Sequence, residues 1–362
     1  EHKVKEDTCY WYFHNYTSSQ WELEWYLNID KLQNRVCTTL AETAHLTKAV
    51  QTVQRIIQLN ENRFTPKTKT PSTNDYLFSK MYYRQLCTKD SGETYSHSEA
   101  YQLIEPLVGL LRDPLTICEW SDESIKLIPK EVSVAGDGGL YSKRHLLLIP
   151  AAPYVVFGET NTNDDQSLQL MEPWSYRWSG SDGSGIKNYT PSQIILLDLG
   201  SQNFGQPGAS TTSTRWFYDY LKRKSMSFNR IIAYEISQLA PTTVWEQVPD
   251  ELMSGYTLIN VGCSADKTSK HNPWRILMAI AKPEDYIIVK LDIDTPSIEL
   301  PLIHQILENS TISQLIDEMF FEHHVSVKEM IGDWGHPPGS LSDSYLYFTK
   351  LRQLGIRMHG WP

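Results

Sequence analysis

The chain has 362 residues, enough for two domains rather than one. Hydrophobic residues make up 40% and charged residues 21%, which excludes a disordered or collagenous chain and a disulfide-dense miniprotein. The net charge is −10 and no Lys/Arg block occurs, so the chain lacks the basic face a general nucleic-acid binder sets against phosphates. No apolar run reaches the roughly 18 residues that span a bilayer, so no membrane span is expected.

In chain order, residues 1–130 read as a mainly helical region. Trp21 to Asn60 is rich in helix formers, and the spacings from Val50 to Ile57 fit one helical face. Glu99 to Leu111 reads as a second helix, closed by Pro114. A dense aromatic cluster runs through Tyr10, Trp11, Tyr12, Phe13, Tyr16, Trp21, Trp25 and Tyr26. It is either packing or a sugar- or partner-binding surface. Residues 131–190 read as a connector, with a β-hairpin over 145–158 and polar Gly/Ser/Asp loops after it.

From residue 191 to 362 the pattern is regular. Strands are predicted over Ile194–Leu199, Arg230–Ile236, Thr257–Cys263, Tyr286–Ile293, Glu318–His323 and Ile356–Trp361. Helices are predicted over Arg215–Lys224, Trp274–Ala281, Leu300–Leu307 and Ser344–Leu354. Strands alternating with helices, and strands that are near-continuous apolar runs, predict an α/β Rossmann-like domain with a mostly parallel sheet covered on both faces.

Five cysteines occur, four of them (Cys9, Cys37, Cys87, Cys118) in the N-terminal third and Cys263 alone in the second half. The economical reading is two disulfides among the first four, pairing open, with Cys263 a buried thiol. Sequons stand at Asn15, Asn188 and Asn309, and Pro191 hinders use of the second. The chain begins with Glu1 rather than Met, so it is expected to be processed or truncated, a removed signal peptide being one of the readings. Together these point to the secretory lumen or the extracellular space, with a cytoplasmic protein of reduced cysteines as the alternative.

Ligands of open parallel sheets bind beyond the carboxyl ends of the strands, at the switch point. Here those ends are Asp198-Leu199-Gly200-Ser201, Glu235, Cys263-Ser264-Ala265-Asp266, Asp292-Ile293-Asp294 and Glu322-His323-His324. Glycine at the first turn lets a ligand approach the backbone. Glu235, 35 residues after Gly200, is placed to accept both hydroxyls of a ribose. Gly200, Gly205 and Gly208 do not have the G-x-G-x-x-G spacing of a dinucleotide-binding dehydrogenase.

Asp198-Leu199-Gly200, Ala233-Tyr234-Glu235 and Lys290-Leu291-Asp292-Ile293-Asp294 resemble class I S-adenosylmethionine-dependent methyltransferases, the FkbM-type branch most nearly. The C-terminal half also resembles a group of uncharacterised protist and algal proteins with a similar E-H-H strand and L-G-I-R ending. The likeness covers about residues 190–362. It implies that the backbone at Gly200 and Ser201 holds the methionine part of the cofactor. Glu235 holds the ribose, Ser264 or Asp266 borders the adenine, and Asp292 and Asp294 face the methionine and the acceptor. Asp198 belongs to the same cofactor motif. The antiparallel last strand of the family has no counterpart before Pro362, and the 145–158 hairpin is a candidate to fill that edge.

Methyl transfer to a hydroxyl needs alignment and a base. His323 and His324, with Asp294, are the candidates for that proton, and strand alternation points the two imidazoles to opposite faces. Asp292, Asp294, Glu322 and His323 or His324 also form a candidate ligand set for a divalent cation, suited to Mn, Fe or Zn over Ca. Met330 to Ser342 follows the fifth strand and is a candidate lid, with Trp334 and His336 as contact residues.

The expected function is therefore O-methylation of a glycan or small-molecule hydroxyl. The alternative is a non-catalytic secreted glycoprotein with a methyltransferase-like fold that self-assembles into a matrix, coat or filament. The long Gln206-Pro207-Gly208 turn and the aromatic-rich N-terminal part favour that second reading.

Overall fold

The structure is a computed structural model that describes residues 8–32, 35–42, 48, 76–109, 154–157, 169–170, 193–206, 212–223, 226–283 and 285–361. The chain divides into two units, and the division is not a single cut. Residues 1–27, 43–108 and 145–191 form the first; residues 28–42, 109–144 and 192–362 form the second.

The first unit is built on a sheet, which corrects the expectation of a mainly helical region. Strands β1 (Thr8–Thr17), β2 (Ser79–Thr88), β3 (Thr94–Ile104), β4 (Tyr154–Phe157) and β5 (Gln169–Leu170) pair in that order, every pair antiparallel. The segment predicted as a helix from Glu99 is strand β3, in register with β2 from Ser79↔Ile104 to Thr88↔Thr94. Its Thr94, Tyr95, Tyr101 and Ile104 are residue types that suit a pleated, half-buried surface, and pairing with β2 overrides the helical spacing. The strand expected near Tyr154 is present as β4. It pairs with β3 and so does not fill an edge of the other sheet. His145–Ile149 lies outside the described residues.

Helix α1 (Gln20–Tyr26) follows β1, and Ser19 caps it by accepting from the Glu22 N–H. Trp21, Trp25 and Tyr16 from the aromatic cluster are buried, whereas Tyr12 is exposed. Phe13 and Tyr26 are half-buried, so half of the cluster residues whose burial is described belong to the core. At its centre Glu22, fully buried, accepts hydrogen bonds from the Tyr16 hydroxyl (2.6 Å), the Ser79 hydroxyl (2.6 Å) and the Leu107 N–H (2.9 Å). One carboxylate thus ties α1 to β1, β2 and the chain after β3. Two further short helices, α2 (Ile29–Leu32) and α3 (Val36–Glu42), lie in the stretch predicted as helical but belong to the second unit. Residues 49–60 of that stretch lie outside the described residues. Cys37 is half of a disulfide, and so is Cys87. Cys9 is the register partner of Cys87 on β1, and Cys118 lies outside the described residues. Asn15 is exposed at an irregularity in β1, Asn309 is exposed between two helices, and Asn188 lies outside the described residues.

The second unit carries a six-stranded parallel sheet. Strands β6 (Ile194–Leu199), β7 (Arg230–Tyr234), β8 (Tyr256–Ile259), β9 (Tyr286–Leu291), β10 (Glu318–Phe321) and β11 (Arg357–Gly360) are ordered β11-β10-β9-β6-β7-β8. All five pairings are parallel. Every residue of β6 and β9 is buried, as central strands covered on both faces require. Between them run α4 (Ser213–Arg223), α5 (Pro241–Trp245), α6 (Pro273–Ile280), α7 (Pro296–Glu308), α8 (Ser310–Ser313), α9 (Ile331–Trp334) and α10 (Leu341–Gln353). Asn272 and Ser340 cap α6 and α10, and Ser340 with Asp343 forms a capping box. The order reverses between β6 and β9, which is the switch point of an α/β Rossmann-like sheet.

Glu22→Leu removes one acceptor from three buried donors. It is expected to cost at least about 2 kcal/mol in the unfolding transition of the first unit, given ~1–3 kcal/mol per stranded polar group. Urea unfolding followed by tryptophan emission measures this, and a cost under about 0.5 kcal/mol would deny Glu22 that role.

Candidate functional site

At the switch point the ends of β6 and β9 are joined by a buried lysine. Lys290, 1% exposed on β9, donates to the carbonyls of Gly200 (2.8 Å), Asp292 (3.1 Å) and Leu199 (3.4 Å). Its ammonium is also 3.1 Å from Asp292 Oδ2 and 3.9 Å from Asp198 Oδ1. Burial pushes the Lys290 ammonium down, but Asp292 and Asp198 outweigh burial and hold its pKa above the usual lysine value. Asp198 is fully buried and accepts from the hydroxyls of Ser213 (2.7 Å) and Thr214 (2.5 Å) at the start of α4. Burial raises its pKa, and Lys290 and the two hydroxyls offset this in part. Asp198 therefore holds the helix and the lysine, and its side chain is buried rather than exposed at the sheet edge.

Gly200 serves the same junction. It has φ +85°, and a Cβ there would stand 1.8 Å from the Asp292 carbonyl oxygen. What approaches its backbone closely is the end of β9. Ser201 is buried, and its hydroxyl donates to the Gln202 carbonyl at 3.1 Å. The N–H groups of both Gly200 and Ser201 donate to the Tyr234 carbonyl at 3.0 Å, tying this turn to the end of β7.

One residue on, Glu235 stands directly after β7. Its Oε2 accepts from the Gln202 N–H (2.8 Å) and its Oε1 from the Ser237 N–H (2.6 Å). Both oxygens are fixed by backbone, and each keeps a lone pair for another donor. Ile236 beside it is 75% exposed and lies over Gly262, where an added Cβ would meet its Cδ1 at 2.9 Å. With exposed Val261 it makes an apolar shelf at the ends of β7 and β8. Asp266 is exposed and accepts from the N–H and hydroxyl of Thr268 (2.8 Å each); those two bonds hold its pKa below the usual value. The Ser264 hydroxyl accepts the Asp266 N–H at 3.2 Å, and the Ser264 N–H donates to the His271 carbonyl at 3.1 Å. Both shape the loop after β8. Cys263 is a free, buried thiol, pushed up to about 12 by burial.

Across the switch point, Asp292, Asp294, Glu322 and His324 each offer a ligand atom within 4.8 Å of the others. His324 Nε2 is 3.2 Å from Asp294 Oδ1, and its Nδ1 is 3.8 Å from Oε2 of Glu299, which is 1% exposed at the start of α7. Glu299 Oε1 accepts the Ile293 N–H at 2.8 Å. Burial pushes His324 down, but Glu299, Asp292 and Asp294 outweigh it and raise its pKa above the ordinary value. Burial likewise pushes Asp292 up, and Lys290 and a hydrogen bond with Glu322 bring it below the usual carboxylate range. Trp334 Nε1 donates to Glu322 Oε1 at 3.2 Å, and its ring centroid is 5.1 Å from that of His324. The expected lid residue Trp334 thus joins the cluster, whereas His336 is exposed.

His323 does not join it. Its Nδ1 is 2.7 Å from the Ser344 hydroxyl, its ring stacks on Phe321 and meets Tyr347 edge-on, and burial lowers its pKa to about 4. Alternation beyond β10 sends His324 to the site and His323 to helix α10. His323 therefore lies outside the cluster of Asp292, Asp294, Glu322 and His324. Sequence reasoning missed three contributors: Glu299, Gln202 and the ammonium of Lys290. Glu299 has a weak signal, a lone acid in the first turn of α7; the role of Gln202 is carried by its backbone and leaves none.

No family model, curated protein or solved structure matches the chain.

Lys290→Met leaves Asp198 buried without its cation. It is expected to lower the stability of the second unit by about 3–5 kcal/mol. Denaturant unfolding checks this, and a loss below about 1 kcal/mol would show that the junction does not depend on the lysine.

Proposed function

We propose that the second unit is an S-adenosylmethionine-dependent methyltransferase acting on a hydroxyl of a glycan or small molecule. The observation that carries this reading is the Glu235 carboxylate, oriented by two backbone N–H groups beside the exposed Ile236 shelf. A carboxylate so fixed accepts two ribose hydroxyls without reorganising, and the shelf supports a flat base. The sulfonium then lies toward the acidic ends of β9 and β10, where Asp292, Asp294 and Glu322 favour its positive charge. In the transfer, a lone pair of the acceptor oxygen forms the new C–O bond as the C–S bond breaks. Its electron pair returns to sulfur, giving S-adenosylhomocysteine, and the hydroxyl proton leaves to the carboxylate–imidazole cluster. Alignment supplies most of the rate. The disulfide-bonded Cys37 and Cys87 support placing the protein in an oxidising compartment.

Calorimetric titration of the full chain with S-adenosylmethionine and S-adenosylhomocysteine tests the reading, with NAD as the comparison ligand. Micromolar binding is expected, weakened roughly tenfold or more in Glu235→Gln, since a hydrogen bond to a charged group contributes ~1.5–3 kcal/mol. No heat from folded protein at millimolar ligand, or NAD binding in preference, would refute it.

A further inference from the structure

We infer that Asp292, Asp294, Glu322 and His324 bind one divalent transition-metal cation, with Glu299 as the carboxylate that orients the histidine. Asp198, Asp292, Asp294, Glu299 and Glu322 gather around the ends of β6, β9 and β10, and Lys290 is ion-paired with two of them, Asp292 and Asp198. Lys290 is already held by Asp292 and three backbone carbonyls. Carboxylates gathered this closely repel one another unless a further positive charge sits among them.

The second observation is independent of the acidic cluster. Glu299 is 1% exposed and its Oε2 has no hydrogen-bond partner. That oxygen faces Nδ1 of His324, which is itself 6% exposed and without a hydrogen bond, across 3.8 Å. On the opposite side of the ring, Nε2 looks into the ligand set at Asp294. A carboxylate behind one ring nitrogen, with acid oxygens ahead of the other, is the arrangement that fixes the tautomer of a metal-binding histidine. A gap of 3.8 Å is too long for a hydrogen bond and short enough to close when the ring settles on an ion.

Three carboxylates and one imidazole make a mixed oxygen and nitrogen donor set, which suits Mn²⁺, Fe²⁺ or Zn²⁺ over Ca²⁺. The entry path is open, since the Asp294 side chain is 87% exposed. Trp334, bonded to Glu322, closes another side. The role of the ion rests on the proposed methyl transfer: bound to the acceptor oxygen, a cation makes the hydroxyl easier to deprotonate. Ion binding itself does not rest on it.

The test is titration of the chelator-treated full chain with Mn²⁺, following the loss of the free-ion electron paramagnetic resonance signal. One tightly bound Mn²⁺ per chain is expected, outcompeting Ca²⁺. Asp294→Asn, an exposed position that leaves the core intact, and His324→Gln should each weaken binding at least about tenfold, and Glu299→Gln should weaken it through the ring. His323→Gln should leave it unchanged. No saturable binding by the wild type at millimolar Mn²⁺, or binding unaffected by both Asp294→Asn and His324→Gln, would overturn the inference. Because S-adenosylhomocysteine is titrated separately, loss of the metal site leaves the cofactor reading standing, and the reverse.

Discussion

The second unit depends on how a lysine is kept charged in the middle of a parallel sheet. Burying an ammonium is costly unless charges and carbonyls surround it. Here Asp198 and Asp292 supply the charge, and the carbonyls of Leu199, Gly200 and Asp292 supply the acceptors. The consequence is geometric. The first turn of the sheet is drawn against the end of β9 so closely that its residue at 200 has no room for a Cβ. That same turn then hands its Gln202 N–H to Glu235. One ion network therefore sets both halves of the edge: the carboxylate at β7 on one side, and the acid and histidine cluster at β9 and β10 on the other.

The edge separates into two chemistries. Around β7 and β8 stand the backbone-oriented Glu235 carboxylate and an apolar shelf, and around β9 and β10 an acidic cluster with the His324 imidazole. The first suits a ribose and a base, and the second suits a cation or a proton in transit. The proposed methyl transfer would draw on both chemistries.

Much of the second unit is legible in the sequence because central parallel strands are continuous apolar runs. Ile194–Leu199 is recoverable to the residue, and the helices at 213–223 and 341–353 within a few residues. The first unit is less legible. Strand β3 is composed of Thr, Tyr, Ser and Glu as much as apolar residues, and its partner β2 lies across a hairpin that local spacing does not reveal. The same division holds at the site. Glu235 and His324 are visible as strand-end residues, and alternation states that one of two adjacent histidines must turn away. Which one turns away, and that Asp198 and Gly200 serve Lys290, follow from tertiary contacts alone.

The measurement that bears most directly on the proposed function is amide hydrogen exchange of the intact chain with and without S-adenosylhomocysteine. The account predicts slowed exchange confined to 199–206, 234–237 and 259–266, the backbone around the first turn, Glu235 and the loop beneath the apolar shelf. Unchanged exchange in those three segments at saturating ligand, or protection located elsewhere in the sheet, would contradict it.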